Sequence, residues 1–282
     1  MSNLLPLVIS AAEDCLPDRP DGSPDVNVWS AADGQLCAFS GSRGRQHWLH
    51  WPGVASFRFS ADGGPVTAVP YPPPQPDVIR TTFYHSVLPL AMQALGREGL
   101  HASAVSNANG TVTGFCGKAH TGKSTLAYAL SHRGFTAWAD DALVWELRGD
   151  QPTAIRLPFE VRLRPPVLSF FGHESHSDVS PPRPHTATHA PLSALCVLTP
   201  TRIDSGAPPV SIERITGARA LTTLLDHAHC FNPYNAVRKR QMLDSYLALL
   251  RRVPVFAARF QPVREFRAAL VDAISEFAAR RN

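Results

Sequence analysis

The sequence predicts an α/β protein: a phosphate-loop core with a mixed, largely antiparallel sheet flanked by helices, preceded by a small β-rich module. Three observations predict it. The short apolar run Thr111 to Cys116 leads through a glycine-bounded loop into the helix-forming run Thr125 to Leu130, a strand-loop-helix order. A second strand-like run, Leu100 to Val105, precedes it across the turn Ser106 to Gly110, so a hairpin feeds the loop. Ahead of both, residues 11 to 76 hold five short apolar or alternating runs separated by turn signals.

In chain order, those runs are Val26 to Trp29, Leu36 to Phe39, His47 to His50, Ser56 to Ser60 and Val66 to Val69, enough for one sheet. Trp29, Trp48 and Trp51 are its expected core, with an exposed aromatic face as the rival reading. Pro70-Tyr71-Pro72-Pro73-Pro74-Gln75-Pro76 can be neither helix nor central strand, and reads as a stiff connector. It divides the chain into a module over 1–76 and a core over 77–282. From Asp77 to Leu95, Ile79, Phe83, Val87, Leu90, Ala91 and Ala94 recur at helical spacing, with Pro89 as a kink and Gly96 past the end.

Gly117-Lys118-Ala119-His120-Thr121-Gly122-Lys123-Ser124 fits the pattern G-x-x-x-x-G-K-[ST], in which backbone N–H groups wrap phosphate oxygens. A helix starting near Lys123 aims its unpaired N–H groups and dipole at the same place. The expected ligands are ATP and Mg²⁺. Gly117 and Gly122 let the loop curl, Lys123 reaches the β- and γ-phosphates, the Ser124 hydroxyl ligates Mg²⁺, and Lys118, Ala119, His120, Thr121 and Thr125 complete the cradle. Gly134 caps the helix. Phe135 to Ala139 is a second apolar strand, ending in Asp140-Asp141, and Asp140 lies 17 positions beyond Lys123 (140 − 123). A three-turn helix, a turn and a strand return it to the phosphates. Paired carboxylates there divide the work of holding metal and accepting a proton.

His101 on a strand, a hairpin turn, G-K-[ST], a helix ending in Arg133-Gly134, then Ala139-Asp140-Asp141: this order resembles the HPr kinase/phosphorylase group, whose core is related to phosphoenolpyruvate carboxykinase. The resemblance covers roughly residues 98 to 147. It implies that fold and a site of His101, Lys123, Ser124, Asp140 and Asp141, with the first Asp as base towards a seryl hydroxyl and the second, with His101, orienting it; Asp141 is also an expected metal ligand alongside Ser124. It also implies a homo-oligomer, which no heptad or apolar face here derives. Thr125 stands where the bacterial HPr kinases have Glu, and their Arg- and Asn-rich C-terminal signature is missing. What remains looks like the stand-alone HPr-kinase-like proteins, some of which phosphorylate a serine of a ribosomally made peptide.

Beyond Asp141, Leu143 to Leu147 and Ile155 to Leu163 read as strands about the turn Gly149-Asp150. Arg156, Arg162 and Arg164 are either phosphate clamps or solvated, with Arg162 the first choice for the nucleotide. The Ser-, Pro- and His-rich stretch 171–190 reads as a mobile lid; its His173, His176, His185 and His189 have metal-like spacings but no Cys among them, so zinc is not inferred. Leu192 to Leu198, Val210 to Ile212 and Val253 to Phe260 look like strands, and Ala218 to His229, Ala236 to Leu250 and Val263 to Ala279 like helices. Arg238-Lys239-Arg240 reads as a solvated face.

A net charge of +4 over 282 residues is too weak and scattered for nucleic acid. Five cysteines without a C-x-x-C suit reduced thiols in the cytoplasm, and Cys116 reads as a small buried residue. No apolar run reaches the ~18 residues that span a bilayer, so no membrane partner is expected. The leading function is a kinase transferring the γ-phosphoryl of ATP to a serine hydroxyl of a peptide or protein. Its rivals are a kinase of a small hydroxylated metabolite and a non-catalytic nucleotide-binding regulator.

Overall fold

The computed structural model describes residues 4–10, 27–30, 34–73, 75–159, 163, 167–168, 171, 187–201, 208–232, 234–262 and 264–281. They form a mixed α/β protein of two compact units, Met1–Gly99 with His229–Asp244, and Leu100–Ala228 with Ser245–Asn282. The boundary expected at Pro76 therefore moves to Gly99. The reason is the side-chain amide of Gln93, which donates to the His229 carbonyl at 2.5 Å and accepts from the Phe231 N–H at 2.6 Å, fastening the 76–94 helices to a segment far along the chain.

In the first unit, β1 (Leu7–Ile9), β2 (Asn27–Ser30), β3 (Leu36–Arg43), β4 (Gln46–Trp51), β5 (Ala55–Ser60) and β6 (Val66–Pro70) make one sheet in the order β1-β6-β5-β4-β3-β2. Its neighbours are antiparallel except β1, which lies parallel to β6. The five expected strands are present; β1, of three residues, carries no alternation long enough to read. The core also differs from expectation. Leu49, Phe57, Phe59, Ala38, Val66 and Ala68 are buried, while the three tryptophans are half-buried. Trp29 stacks on Trp51 at 6.3 Å, and Trp48 lies over Gly41, where a Cβ would come within 2.5 Å of the indole. The helix expected over 77–95 appears as α1 (Pro76–Thr82), a π-helical turn (Phe83–Val87) and α2 (Leu88–Ala94). Pro89 has no N–H to give the preceding turn, and the wider turn accommodates that loss. Arg238 is not solvated: its guanidinium grips Glu98 at 2.8 and 2.7 Å, and the Glu98 side chain is 3% exposed.

His50 is buried in this sheet, stacked on Phe39 at 4.5 Å with Nδ1 2.8 Å from the Ser56 hydroxyl. Burial, and then the nearby charge of Arg58, push its pKa from 6.5 down to about 4. A depressed histidine stabilises the fold fully above its unfolded pKa and loses that contribution as pH falls towards its folded pKa. Urea unfolding should therefore show stability dropping by about 3 kcal/mol between pH 6.5 and 4 on account of His50. His50→Gln should remove much of that slope, and a slope unchanged by the substitution would be a failure of the assignment.

The second unit is built on a mixed sheet. Its strands are β8 (Ala102–Ser106), β9 (Val112–Cys116), β10 (Thr136–Ala139), β11 (Leu143–Arg148), β12 (Gln151–Ile155), β13 (His189–Pro200), β14 (Val210–Ile215) and β15 (Val255–Phe260); β7 (Glu98–Leu100) lies at the division between units. The order β10-β8-β9-β13-β12-β11 is antiparallel throughout except at β9-β13; β13 also pairs in parallel with β15, which takes β14 antiparallel. The strand expected over 155–163 lies instead at Gln151–Ile155, directly across the tight Gly149-Asp150 turn from β11, and residues 156–159 are in no strand. Helix α3 (Lys123–Ser131) and the terminal helix (Arg264–Ala279) pack over the sheet. Leu126, Ala127 and Leu130 meet Phe115, Cys196, Phe256, Leu270 and Ile274 in one buried cluster. At Gly114 a Cβ would stand 2.7 Å from the Cδ2 methyls of both Leu143 and Leu195, so any side chain there would force both leucines to move. Because β9, β13 and β15 run parallel, Cys116, Pro200 and Phe260 end at the same edge of the sheet, the edge where open α/β sheets place ligands. Among the described residues no helix is long and apolar enough to cross a membrane.

Candidate active site

Beyond Cys116 the chain turns sharply. A Cβ at Gly117 would lie 2.6 Å from Thr121 Oγ1 and 3.2 Å from the Leu198 carbonyl, so the first loop position admits no side chain. Thr121 folds the loop back, its hydroxyl and its N–H both donating to the Lys118 carbonyl, at 2.9 and 3.3 Å. His120 sits at φ 72°, a conformation costly for a residue with a Cβ, and Gly122, at φ 92°, starts helix α3. The helix begins at Lys123, the position expected from the motif. Gly117→Ala should leave the protein folded through its two units yet weaken phosphate binding by about tenfold or more, read by titrating in pyrophosphate with Mg²⁺. Unchanged affinity in a folded variant would show that the loop has other room.

Lys123 is 7% exposed, and its ammonium donates to the carbonyls of Gly117 (3.0 Å) and Lys118 (3.2 Å) and to His101 Nε2 (3.0 Å). Burial lowers its pKa, against the pull of Asp141. His101 sits where β7 breaks from β8, its N–H held by the His227 carbonyl at 2.7 Å. Accepting from an ammonium at Nε2 fixes the proton of the neutral ring on Nδ1, which donates to the Asp141 carbonyl at 3.1 Å and faces Asp141 Oδ1 at 3.3 Å. Burial first, and then the Lys123 charge, hold the His101 pKa below 6.5.

The two carboxylates part company. Asp141, at φ 67°, turns outward with its side chain 58% exposed, while Asp140 is buried, 7% exposed, and accepts the Ser103 hydroxyl at 2.7 Å. A cavity of about 700 Å³ lies over the loop. His101, Ala119, His120, Thr121, Gly122, Lys123, Ser124, Thr125 and Asp141 line it; Gly117 and Lys118 contribute carbonyls to Lys123, and Asp140 stays behind its wall. Burial pushes the Cys116 thiol up to about 12, so it is a packing residue, as expected.

Compared with known proteins, the sequence matches no family model and no curated protein. Among solved structures the chain is similar to the HPr(Ser) kinase/phosphatase from Coxiella burnetii, at 15% identity and a TM-score of 0.34, over 64% of this chain and 95% of that one.

Arg162 and Arg164, and most of the expected lid at 171–190 with His173, His176 and His185, lie outside the described residues. Arg156 faces the rings of Trp138 and Phe159, at 5.8 and 5.9 Å, and does not line the cavity. Among the described residues no three His, Cys, Asp or Glu side chains gather to hold a metal by themselves. Ser124 and Asp141 nonetheless share the cavity, and a nucleotide's Mg²⁺ needs only one or two protein oxygens, taking the rest from phosphates and water. Two contributors escaped sequence reasoning. Ser103 belongs to no motif, although it stands two residues beyond His101, the strand period that returns a side chain to the same face. His132, the residue that closes helix α3, reaches the cavity only because the helix presents one face to it.

Proposed function

We propose that the chain is an ATP- and Mg²⁺-dependent kinase that transfers the γ-phosphoryl group to a serine hydroxyl of a peptide or protein. The observation that carries the proposal is the buried Lys123 ammonium, set inside a glycine-bounded loop at a helix N-terminus and hydrogen-bonded to a His101 that is itself held by Asp141. When bound, Mg-ATP supplies the transferable phosphoryl group and the leaving diphosphate. Loop N–H groups and Lys123 hold the phosphate oxygens and offset the charge that develops between β- and γ-phosphates. Ser124 ligates the metal. Asp141 is the carboxylate on the cavity wall, so it takes the acceptor's hydroxyl proton as the new O–P bond forms and the β–γ bridging bond breaks. His101, donating from Nδ1, keeps Asp141 in its left-handed turn. Asp140, assigned by resemblance to the base, is here a positioning residue that ties the strand end to Ser103.

The test is direct: the full chain with Mg-ATP labelled at the γ-position and a serine-containing peptide library. Transfer to peptide serine, with nucleotide binding that requires Mg²⁺, is expected. Labelling of a small hydroxylated molecule alone would transfer the proposal to a metabolite kinase, and nucleotide binding without any transfer would reduce the chain to a nucleotide sensor.

A further inference from the structure

A segment from much later in the chain flanks His101. The β8-β9 pairing ends at Ala102 and Cys116, where the phosphate loop leaves the sheet. The two residues before Ala102 pair elsewhere: Leu100 bridges Ala228 in the antiparallel sense, and the His101 N–H donates to the His227 carbonyl at 2.7 Å. His227 therefore stands directly opposite His101. Facing residues of an antiparallel pair project to the same side with Cβ atoms about 5 Å apart, so the His227 imidazole lies on the side where His101 meets Lys123. A turn after the helix Gly217–Leu225 delivers it there, the His227 N–H donating to the Leu224 carbonyl at 3.0 Å. His227 is half-buried, and Lys118, which is exposed, is close enough for its charge to act on the ring. Neither side chain lines the cavity that runs from the loop along helix α3.

We propose that His227 and Lys118 form an acceptor subsite, which takes an acidic side chain one or two positions away from the serine that receives the phosphoryl group. The inference rests on the peptide-kinase reading. Its first support is electrostatic. Burial, then His101, with Lys123 and Lys118 behind them, lower the His227 pKa from 6.5, while exposed Asp226 pulls the other way. A neutral imidazole there still has an N–H to donate, and the two lysines beside it favour a carboxylate as the group that accepts. Its second support is position, which decides whose anion that is. His101 donates from Nδ1 to the Asp141 carbonyl and faces His227 across the bridge. One imidazole and one ladder spacing of about 5 Å thus separate Asp141 from His227. An extended peptide advances ~3.3–3.6 Å per residue, so with its serine at Asp141 the first or second neighbour reaches His227. The nucleotide's phosphates belong, on the same reading, to the loop N–H groups and Ser124, inside the cavity that His227 does not line.

Steady-state transfer from Mg-ATP by the full chain tests this, with alanine-based peptides that hold a single serine and carry Asp, Asn or Lys one, two or five positions to either side of it. With Asp at one or two positions, kcat/KM should exceed that for Asn about tenfold, and at five positions by less than about twofold. His227→Glu should reverse the order and favour Lys over Asp, whereas His227→Lys should keep the preference for Asp. An imidazole of purely structural importance would cost activity in both variants without reordering the peptides. Equal transfer to all peptides by the wild-type chain, or a folded His227→Glu protein that still prefers Asp, overturns the subsite. So does a rise in the KM for ATP in His227→Glu as large as the loss on the Asp peptides, which would assign the imidazole to the nucleotide's phosphates. If neither variant folds, the dependence on position in the wild-type chain decides. Transfer without any preference overturns the subsite alone, and transfer to no peptide at all overturns the peptide-kinase reading with it.

Discussion

Lys123→Met should lower phosphoryl transfer by about a thousandfold and weaken Mg-nucleotide binding with it. The ammonium reaches from the helix into the loop, bonded to the Gly117 and Lys118 carbonyls and to His101 Nε2. Methionine keeps the length and loses the charge. The substitution also has a signature away from activity. The Lys123 charge is the second cause holding the His101 pKa below 6.5, after burial. Removing it should raise that pKa, moving the His101 proton titration to higher pH in an NMR experiment. The sign follows from the ring: a neighbouring cation opposes a second positive charge, so His101 stays neutral to lower pH in the wild type than in the variant. A His101 titration that does not move would mean the ammonium and imidazole are not partners in solution.

How much of this was legible beforehand differs from feature to feature. The loop and helix α3 were, because glycine freedom, helix propensity and N-terminal amides are local properties that spacing exposes, and the helix starts at Lys123 as the motif requires. The hairpin β8-β9 was legible for the same reason, since its turn is five residues of turn chemistry. The unit boundary was not, because Gln93 finds its partners at His229 and Phe231, and nothing local in either stretch announces the other. The tryptophans misled by size: large rings were read as core, whereas the sheet buries smaller side chains such as Leu49 and Ala68 and leaves the indoles at half-burial. The motif named residues that the fold gathers around one cavity, among them His101, Lys123, Ser124 and Asp141, but it could not divide the two carboxylates. Adjacent residues at a strand end face opposite ways, and only the register of β10 against β8, with its irregularity between Ala137 and Ala139, decides which carboxylate is buried.

That division yields the sharpest expected contrast. Asp141→Asn should reduce the rate of transfer by about 10² to 10⁴, the range for loss of a positioned proton acceptor, while nucleotide affinity changes by less than about threefold. An amide keeps the shape beside His101 but cannot take the proton. Asp140→Asn should behave differently, since Asp140 does not line the cavity and its oxygen accepts the Ser103 hydroxyl. Its amide can still accept at one oxygen, so the expected result is a modest fall in rate together with a loss of stability of about 1–3 kcal/mol, reproduced in kind by Ser103→Ala. Measuring kcat, nucleotide Kd and urea midpoint on the three variants separates a proton acceptor from a strut. If Asp140→Asn abolished transfer at unchanged stability while Asp141→Asn remained active, the roles would be reversed, and the outward turn at Asp141 would belong to metal binding instead. The left-handed backbone at Asp141 makes the first outcome the expected one: a φ of 67° is costly for a residue with a Cβ, and it is what swings this carboxylate into the cavity beside His101.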